Sequence, residues 1–179
     1  MEWGPAMLEQ PQPERIERRA IAVLVDNEPG VLARVIGLFS GRGYNIDSLT
    51  VTEVSHEASE SRITIVTRGS PAIIEQIKSQ LGRLVPVHAV TDLTTKGDPI
   101  ERELALVKVA GKGEKRVESL RLAEAFRAQV VDATTEHFIF EITGRISKID
   151  TFINLMKPLG LVETARTGAA AISRGPEAM

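Results

Sequence analysis

Cysteine is absent from this chain of 179 residues. Its absence excludes disulfide bonds, thiolate catalysis and cysteine-ligated zinc, and it is typical of proteins of the reducing cytosol. We therefore expect a cytoplasmic protein. The three histidines, His56, His88 and His137, stand far apart in unlike elements and the carboxylates do not cluster, so the sequence predicts no metal site.

Long apolar runs and an excess of charge of one sign are also lacking. No run approaches the roughly 18 residues of a membrane span, and the first 17 residues have no apolar signal-peptide core. The formal net charge is −2, which gives no electrostatic basis for binding nucleic acid or an anionic membrane. Because 42% of the residues are apolar and 26% are charged, the composition is that of a soluble globular protein.

A catalytic constellation is missing as well. No serine lies in a nucleophile elbow, and the carboxylates mostly stand beside lysines and arginines on polar helix faces. The pair Gly111 and Gly113 lacks the spacing of a phosphate loop, and the pair Gly41 and Gly43 is not a full dinucleotide fingerprint. We therefore expect no catalytic residues and a binding or regulatory protein.

What the chain does contain is an order of elements, strand, helix, strand, strand, helix, strand, that occurs twice. With right-handed crossovers this order predicts two ferredoxin-like α+β sandwich domains of the βαββαβ type. We place a disordered N-terminal arm at 1–17, the first domain at 18–94, a linker at 95–103 and the second domain at 104–175. Helices cover one face of each sheet, so the partner domain or another chain should cover the other face.

The first domain opens with a strand rich in β-branched residues, Arg19–Val25, which leads into an amphipathic helix. The inner face of this helix is predicted to consist of Leu32, Val35, Ile36 and Phe39. Pro29 fits its first turn, and Gly41 and Gly43 end it. The next strand, from Ile46 to about Val54, has apolar residues on both faces, which predicts an edge strand or one that meets a partner.

The rest of the pattern can be placed more briefly. Ser70 and Pro71 begin the second helix, which Gly82 ends. The fourth strand, Val85–Leu93, is predicted at a sheet edge because Pro86 has no N–H to donate. In the second domain we expect strands at 104–109, 129–134, 137–143 and 161–165, and helices at 116–126 and 147–157.

The turn Asp26–Gly30 offers the most specific chemistry in the chain. It joins a strand to a helix, and the first N–H groups of a helix have no intrahelical partners. One interpretation is an ordinary helix start, in which Asn27 is the cap. In the other, Asn27 and the N–H groups near Gly30 and Val31 hold the carboxylate of a small ligand, because glycine allows close backbone approach.

A second turn, Gly41–Asn45, returns the chain from this helix to the next strand. Its two glycines are typical of a left-handed helix end. Asn45 is either a turn residue or a polar ligand contact at the mouth of the strand. The residues alone leave both possibilities open.

Three groups of motifs carry a resemblance to a known family. From Arg19 to about Leu93 the chain resembles an ACT domain, a ligand-binding module that regulates amino-acid enzymes. More specifically, it is similar to the regulatory small subunit of acetolactate synthase, through the motifs Asn27-Glu28-Pro29-Gly30-Val31-Leu32, Arg34-Val35-Ile36-Gly37-Leu38-Phe39 and Gly43-Tyr44-Asn45-Ile46. Further motifs of that family are Glu101-Arg102-Glu103-Leu104, Leu106-Val107-Lys108-Val109 and Ile172-Ser173-Arg174-Gly175.

This resemblance implies a protein without an active site of its own. It implies binding to a large catalytic subunit that carries thiamine diphosphate, FAD and magnesium, while the small subunit binds no cofactor. It also implies activation of that subunit and feedback inhibition by valine or a related branched-chain amino acid. In such families two ACT sheets lie side by side in a homodimer, with the effector between two chains. The implied effector-binding residues are Asn27, Glu28, Pro29, Gly30, Val31, Leu32, Asn45 and Ile46.

Two other functions remain as alternatives. A stand-alone ACT-domain amino-acid sensor tied to transcription is one, although no helix-turn-helix or basic surface is evident. A small enzyme on a ferredoxin-like fold is the other, since a fold alone does not exclude activity. Binding to a thiamine-dependent synthase, retention on DNA, and turnover by the isolated chain would distinguish the three.

Overall fold

The computed structural model describes residues 14–179, which form fourteen helices and strands. The strands are β1 (Glu17–Asp26), β2 (Ser48–Ser55), β3 (Glu60–Gly69), β4 (Val87–Asp92), β5 (Ile100–Val109), β6 (Gln129–Ala133), β7 (Phe138–Gly144), β8 (Leu161–Arg166) and β9 (Ala170–Ile172). The helices are α1 (Val31–Arg42), α2 (Pro71–Leu81), α3 (Glu114–Ala125) and α4 (Ile146–Met156), followed by a short 3-10 helix, Lys157–Leu159. None of the helices in this part of the chain is long and apolar enough to cross a membrane.

The first sheet has the order β2-β3-β1-β4, with every neighbouring pair antiparallel. Its centre is the β1–β3 pair, in which Ile21 lies opposite Ile65 and Val23 opposite Ile63. These four side chains are fully buried against α1 and α2. This is the predicted ferredoxin-like arrangement, and β2 and β4 are its edges, as the sequence indicates.

The second sheet has the order β6-β7-β5-β8, again antiparallel, and β9 also pairs with β5. Its core lies between the sheet and helices α3 and α4. The fully buried large side chains of this core are Phe140, Ile142, Ile149, Phe152 and Met156. Both domains are therefore α+β sandwiches of the predicted class.

Several predictions about α1 are corrected by the structure. The helix begins at Val31, so Pro29 precedes it instead of occupying its first turn. Gly41 lies inside the helix, and only Gly43, at φ 68°, ends it in the left-handed region. The buried side chains are Val31, Val35 and Phe39, whereas Leu32 and Ile36 are each 37% exposed. The periodicity therefore identified the apolar side of α1, but it placed the centre of that side about one residue too far toward the C-terminus.

The second helix agrees closely with the sequence. Ser70 is its N-cap, and the Ser70 hydroxyl accepts a hydrogen bond from the Ile73 N–H at 3.4 Å. Pro71 occupies the first turn and Gly82 is the C-cap. A serine followed by proline therefore predicted this helix start correctly, because the cap and the fixed proline φ act locally.

The boundary between the domains differs from the expectation. Residues 100–103 of the predicted linker form the first part of β5, so the irregular connection after β4 is short. Of the predicted disordered arm at 1–17, residues 1–13 lie outside the described part of the chain, and Glu17 already belongs to β1. The three-residue strand β9 was not predicted.

The two domains contact each other through the face of the first sheet that carries no helix. Four apolar residues of that sheet region, Ala20, Ala22, Val66 and Leu93, pack against Ala169 and Ala171 from the end of the chain. Arg18 of β1 also donates two hydrogen bonds to the Glu101 carboxylate of β5, at 2.9 and 2.7 Å. The partner domain thus covers part of this face, one of the two possibilities expected from the sequence.

Candidate functional site

The turn between β1 and α1 is exposed to solvent. Asn27, Glu28, Pro29 and Gly30 are all exposed, while the Asn27 N–H donates to the Ser59 carbonyl at 2.7 Å. This hydrogen bond fastens the turn to the β2–β3 connection. The side chains of the turn are therefore held at the surface, on a fixed backbone.

Gly30 sets the geometry of the helix start. It is the N-cap residue, at φ 86° and ψ −8°, and the helix start has no side-chain cap. Asn27 is therefore not the cap of this helix, and an ordinary helix start would have Gly30 as its cap. A Cβ at Gly30 would meet no atom within 4 Å, so the backbone here is open to an approaching group. The Val31 N–H donates to the Glu28 carbonyl at 3.4 Å, and N–H groups at a helix start that have no partner favour an anion.

The two apolar residues that follow Gly30 lie in different environments. Val31 is 5% exposed and belongs to the core of the first domain. Leu32 is 37% exposed and lies on the outer side of the helix. Of the two, Leu32 has the side chain that is available to a ligand or a neighbouring chain.

The second predicted turn lies at the other end of α1. Asn45 is exposed, and its side-chain N–H donates to the Asp47 carboxylate, which also accepts from Arg68 Nε at 2.6 Å. The Asn45 carbonyl accepts from the Thr67 hydroxyl at 2.5 Å. Ile46 precedes β2 and is half-buried against the first core. Asn45 is therefore a well-fixed turn residue with a polar group at the surface.

One chain does not bring the two turns together. They lie at opposite ends of α1, whose 12 residues span about 18 Å at 1.5 Å per residue. A small ligand cannot contact both turns of the same chain over that distance. If they form one site, the two turns come from different chains.

A charged pair lies beside the first turn. His88 Nε2 of β4 contacts the Asp26 carboxylate at the end of β1, and the Asp26 N–H donates to the Pro86 carbonyl at 2.9 Å. The hydrogen bond and negative charge of Asp26 raise the pKa of His88. The pair gives the rim of the turn a charge that depends on pH.

The structure also shows a polar cleft between the domains that sequence reasoning missed. Its volume is about 500 Å³, and it is lined by Arg18, Asp47, Ser48, Leu49, Arg68, Glu103, Ile146, Asp150, Arg166, Thr167 and Gly168. Arg166 donates two hydrogen bonds of 2.8 Å to the buried Glu103 carboxylate and a third, of 2.7 Å, to Asp150. These bonds raise the pKa of Arg166. No local sequence signal could have paired Arg166 with Glu103, because 63 positions separate them.

Within the described residues no three histidine, aspartate or glutamate side chains are grouped so that they could hold a metal ion. The arginines of the cleft already have carboxylate partners: Arg166 pairs with Glu103 and Asp150, Arg68 with Asp47, and Arg18 with Glu101 of β5. The exposed turns at the ends of α1 therefore remain the candidate site.

Two models of known families match different parts of this chain. Residues 21–89 match the AHAS small subunit-like ACT domain, and residues 102–175 match the small subunit of acetolactate synthase. The chain belongs to the acetolactate synthase small subunit family. The resemblance inferred from its motifs is thereby confirmed, and the two matches cover both domains of this small-subunit family member.

Relatives from distant organisms match nearly the full length of the small-subunit chain. The probable acetolactate synthase small subunit of Archaeoglobus fulgidus is 46% identical over 88% of this chain and 98% of its own. The acetolactate synthase isozyme 3 small subunit of Escherichia coli is 43% identical over 90% and 99%. Among solved structures, the acetolactate synthase small subunit of Thermotoga maritima is 40% identical, with a TM-score of 0.80 over 90% of this chain and 99% of its own.

Proposed function

We propose that this chain is the regulatory subunit of acetolactate synthase. In this proposal it binds the large catalytic subunit, raises its activity and makes it sensitive to feedback inhibition by valine or a related branched-chain amino acid. Thiamine diphosphate, FAD and magnesium are assigned to the catalytic partner, and none to this chain. The names of the relatives, together with matches over both domains, support the role of a small subunit.

One observation carries the assignment of an effector site. The start of α1 is exposed, has no side-chain cap and begins at a glycine with open space around it. The first amides of a helix favour a carboxylate, by roughly 0.3–1 kcal/mol when exposed to solvent. An amino acid supplies that carboxylate, and the exposed Asn27 supplies an acceptor for its ammonium group.

The second half of the site would come from a neighbouring chain. Because Asn45 lies beyond the far end of α1, a helix about 18 Å long, we place Asn45 and Ile46 of the neighbour against Asn27 and Gly30. Leu32 and the neighbour's Ile46 then provide apolar surface for a branched side chain. Val31 acts indirectly, by packing the helix start against the core.

The homodimer that this site requires is proposed to form through β2. This strand is a sheet edge, and edge strands readily pair with another chain. Val51 and Val54 of β2 are 43% and 50% exposed, and Leu32 and Ile36 lie exposed on α1. Analytical ultracentrifugation at micromolar concentration should show a dimer. A monomer with and without valine would contradict this part of the proposal.

Reconstitution with a catalytic subunit tests the function as a whole. The purified chain alone should form no acetolactate from pyruvate, whereas its addition should raise the rate of the catalytic subunit and add inhibition by valine. Leucine and isoleucine, tested in parallel, identify the preferred effector. Robust acetolactate formation by this chain alone would refute the proposal, as would a catalytic subunit whose rate does not respond to it.

A further inference from the structure

The end of the chain crosses the helix-free face of the first sheet, and we call residues 167–172 the strap. Ala169 is fully buried and Ala171 is 7% exposed. Both pack on the alanine-rich face that includes Ala20 and Ala22. The second domain thus places a short segment of its own on the domain that carries the proposed effector site.

Hydrogen bonds fix the strap to β2 and β3. The Ala169 N–H donates to the Ser48 hydroxyl at 2.7 Å, and the Thr50 hydroxyl donates to the Ala169 carbonyl at 3.3 Å. Arg62 donates to the Ala171 carbonyl at 2.8 Å. Ala169 is fully buried, and its N–H would lose this observed partner if the bond to Ser48 were lost. The position of Ser48 is therefore coupled to the position of the strap.

The strap is also fastened to the second domain. The Thr167 N–H donates to the Leu104 carbonyl at 3.1 Å, and the Leu104 N–H donates back to the Thr167 hydroxyl at 3.1 Å. The last three residues of the strap form β9, which pairs with residues 100–102 of β5. A displacement of the strap therefore acts directly on β5, the central strand of the second sheet.

The backbone of Gly168 in the strap lies in close contact with β2. Gly168 has a φ of 82°, and a Cβ there would lie 2.9 Å from the Ser48 hydroxyl oxygen and 3.2 Å from the Leu49 carbonyl oxygen. The polar cleft of about 500 Å³ lies beside this contact and gives β2 and the strap room to shift together. Gly168 is therefore closely packed against Ser48 and Leu49, while the polar cleft beside this contact is open.

The second effector turn leads directly into this contact. The Asn45 side chain donates to the carboxylate of Asp47, the residue immediately before Ser48. A ligand held by Asn45 and Ile46 therefore acts on the first residues of β2. From Ser48 the path continues through one hydrogen bond to Ala169 of the strap.

We propose that the strap transmits effector occupancy from the Asn45–Asp47 turn to the second domain, with Ser48 and Gly168 as the coupling pair. This inference rests on the proposed function and adds the route by which its regulation travels. An effector that favours one position of β2 shifts the strap, and with it β5, because it binds the two arrangements with different affinity. Ser48 and Gly168 are positioning residues and do not contact the effector.

The test uses the reconstituted holoenzyme and the variant Ser48→Ala. Thr52→Ala is the matched control, because the Thr52 hydroxyl of the same strand bonds to the neighbouring Glu53 carbonyl and, among residues 14–179, to no residue of the strap. We expect Ser48→Ala to raise the residual activity at saturating valine by about two- to tenfold. This is the factor by which the loss of one net hydrogen bond changes an equilibrium constant. Binding of radiolabelled valine should stay within roughly threefold of wild type. Thr52→Ala should match wild type in both measurements.

Gly168→Val provides a second, stronger perturbation, because its Cβ would press on the Ser48 hydroxyl. It should raise the residual activity further and in the same direction; if it fails to fold, Ser48→Ala decides alone. If valine inhibits the Ser48→Ala holoenzyme as strongly as the wild type, the proposal is overturned. Loss of both valine binding and inhibition in Ser48→Ala would also overturn it, because that result would place Ser48 in the effector site itself. A wild-type holoenzyme that neither binds nor is inhibited by valine, leucine or isoleucine would refute the proposed function, a result distinguishable from both.

Discussion

Replacing Gly30 with aspartate separates folding from effector binding at the start of α1. The new Cβ meets no atom within 4 Å, so the cost to the fold is the left-handed backbone at φ 86°. That cost is about 1–2 kcal/mol for an ordinary residue, and aspartate tolerates the conformation better than most. A carboxylate at a helix start returns roughly 0.3–1 kcal/mol. The variant should therefore fold, since domains have about 5–15 kcal/mol of stability.

The same substitution should weaken the binding of an amino-acid effector by about 1–4 kcal/mol. Two like charges about 4 Å apart repel by about 1 kcal/mol in water and about 4 kcal/mol at an effective dielectric constant of 20. These energies correspond to roughly fivefold to thousandfold weaker binding of the effector carboxylate. The new side chain also obstructs the close approach that glycine allows.

Gly30→Asn is the matched control, because it has the same size and tolerance of the left-handed conformation but no charge. Inhibition of the reconstituted synthase is measured against valine concentration for wild type and both variants, with urea unfolding to verify stability. Gly30→Asp should shift the inhibition curve to much higher valine concentrations than Gly30→Asn does, while activation of the catalytic subunit is retained. Equal shifts for the two variants would refute the placement of a carboxylate at Gly30, and unchanged curves would place the effector elsewhere.

Three further predictions concern the fold itself. Arg166→Met should destabilise the chain by about 3 kcal/mol in urea unfolding, because it leaves the buried Glu103 carboxylate unpaired; a change below about 0.5 kcal/mol would mean that the pair is not formed. Gly37→Ala should stabilise by about 0.5–1 kcal/mol in the same assay, since its Cβ meets nothing and glycine is unfavourable in a helix, and a loss would contradict an exposed site. The pKa of His88, followed by NMR, should lie above 6.5 and fall in Asp26→Asn. The stabilisation from this pair should be fully present below the unfolded pKa of about 6.5 and disappear as pH rises through the raised folded pKa; a pKa unaffected by the substitution would contradict the contact.

Local signals predicted much of the fold. The strand and helix order of both domains, the edge position of β2 and β4, and the start of α2 at Ser70 all follow from short-range rules. Gly43 likewise ends α1 as its conformational freedom predicts. These features depend on residues that are neighbours in sequence, which is why periodicity and capping rules locate them.

Long-range pairing was beyond such rules. Strand β9 has three residues, two of them alanine, and exists because β5 offers a free edge at residues 100–102. Residues 100–102 were predicted as part of the linker 95–103, next to the polar segment that contains Gly97 and Pro99. Glu103 is buried only because Arg166 neutralises it from 63 positions away.

The candidate site was predicted in part. Sequence motifs identified both turns, but the N-cap is Gly30 and not Asn27, since the left-handed turn moves the helix start past Pro29. An amphipathic pattern also cannot distinguish side chains that face the core from those left for a partner. Leu32 and Ile36 were therefore predicted as core, although both are 37% exposed.

The buried strap also affects how this protein is made. The face of the first sheet that includes Ala20 and Ala22 is covered by Ala169 and Ala171, which are synthesised after every strand and helix of the first domain. Domains generally fold from the N-terminus as synthesis proceeds, and exposed apolar surface makes partly made chains prone to aggregate. This face of the first domain therefore stays exposed to water until Ala169 and Ala171 have been synthesised. A chain that ends after β4 would leave Ala20 and Ala22 without the cover of Ala169 and Ala171.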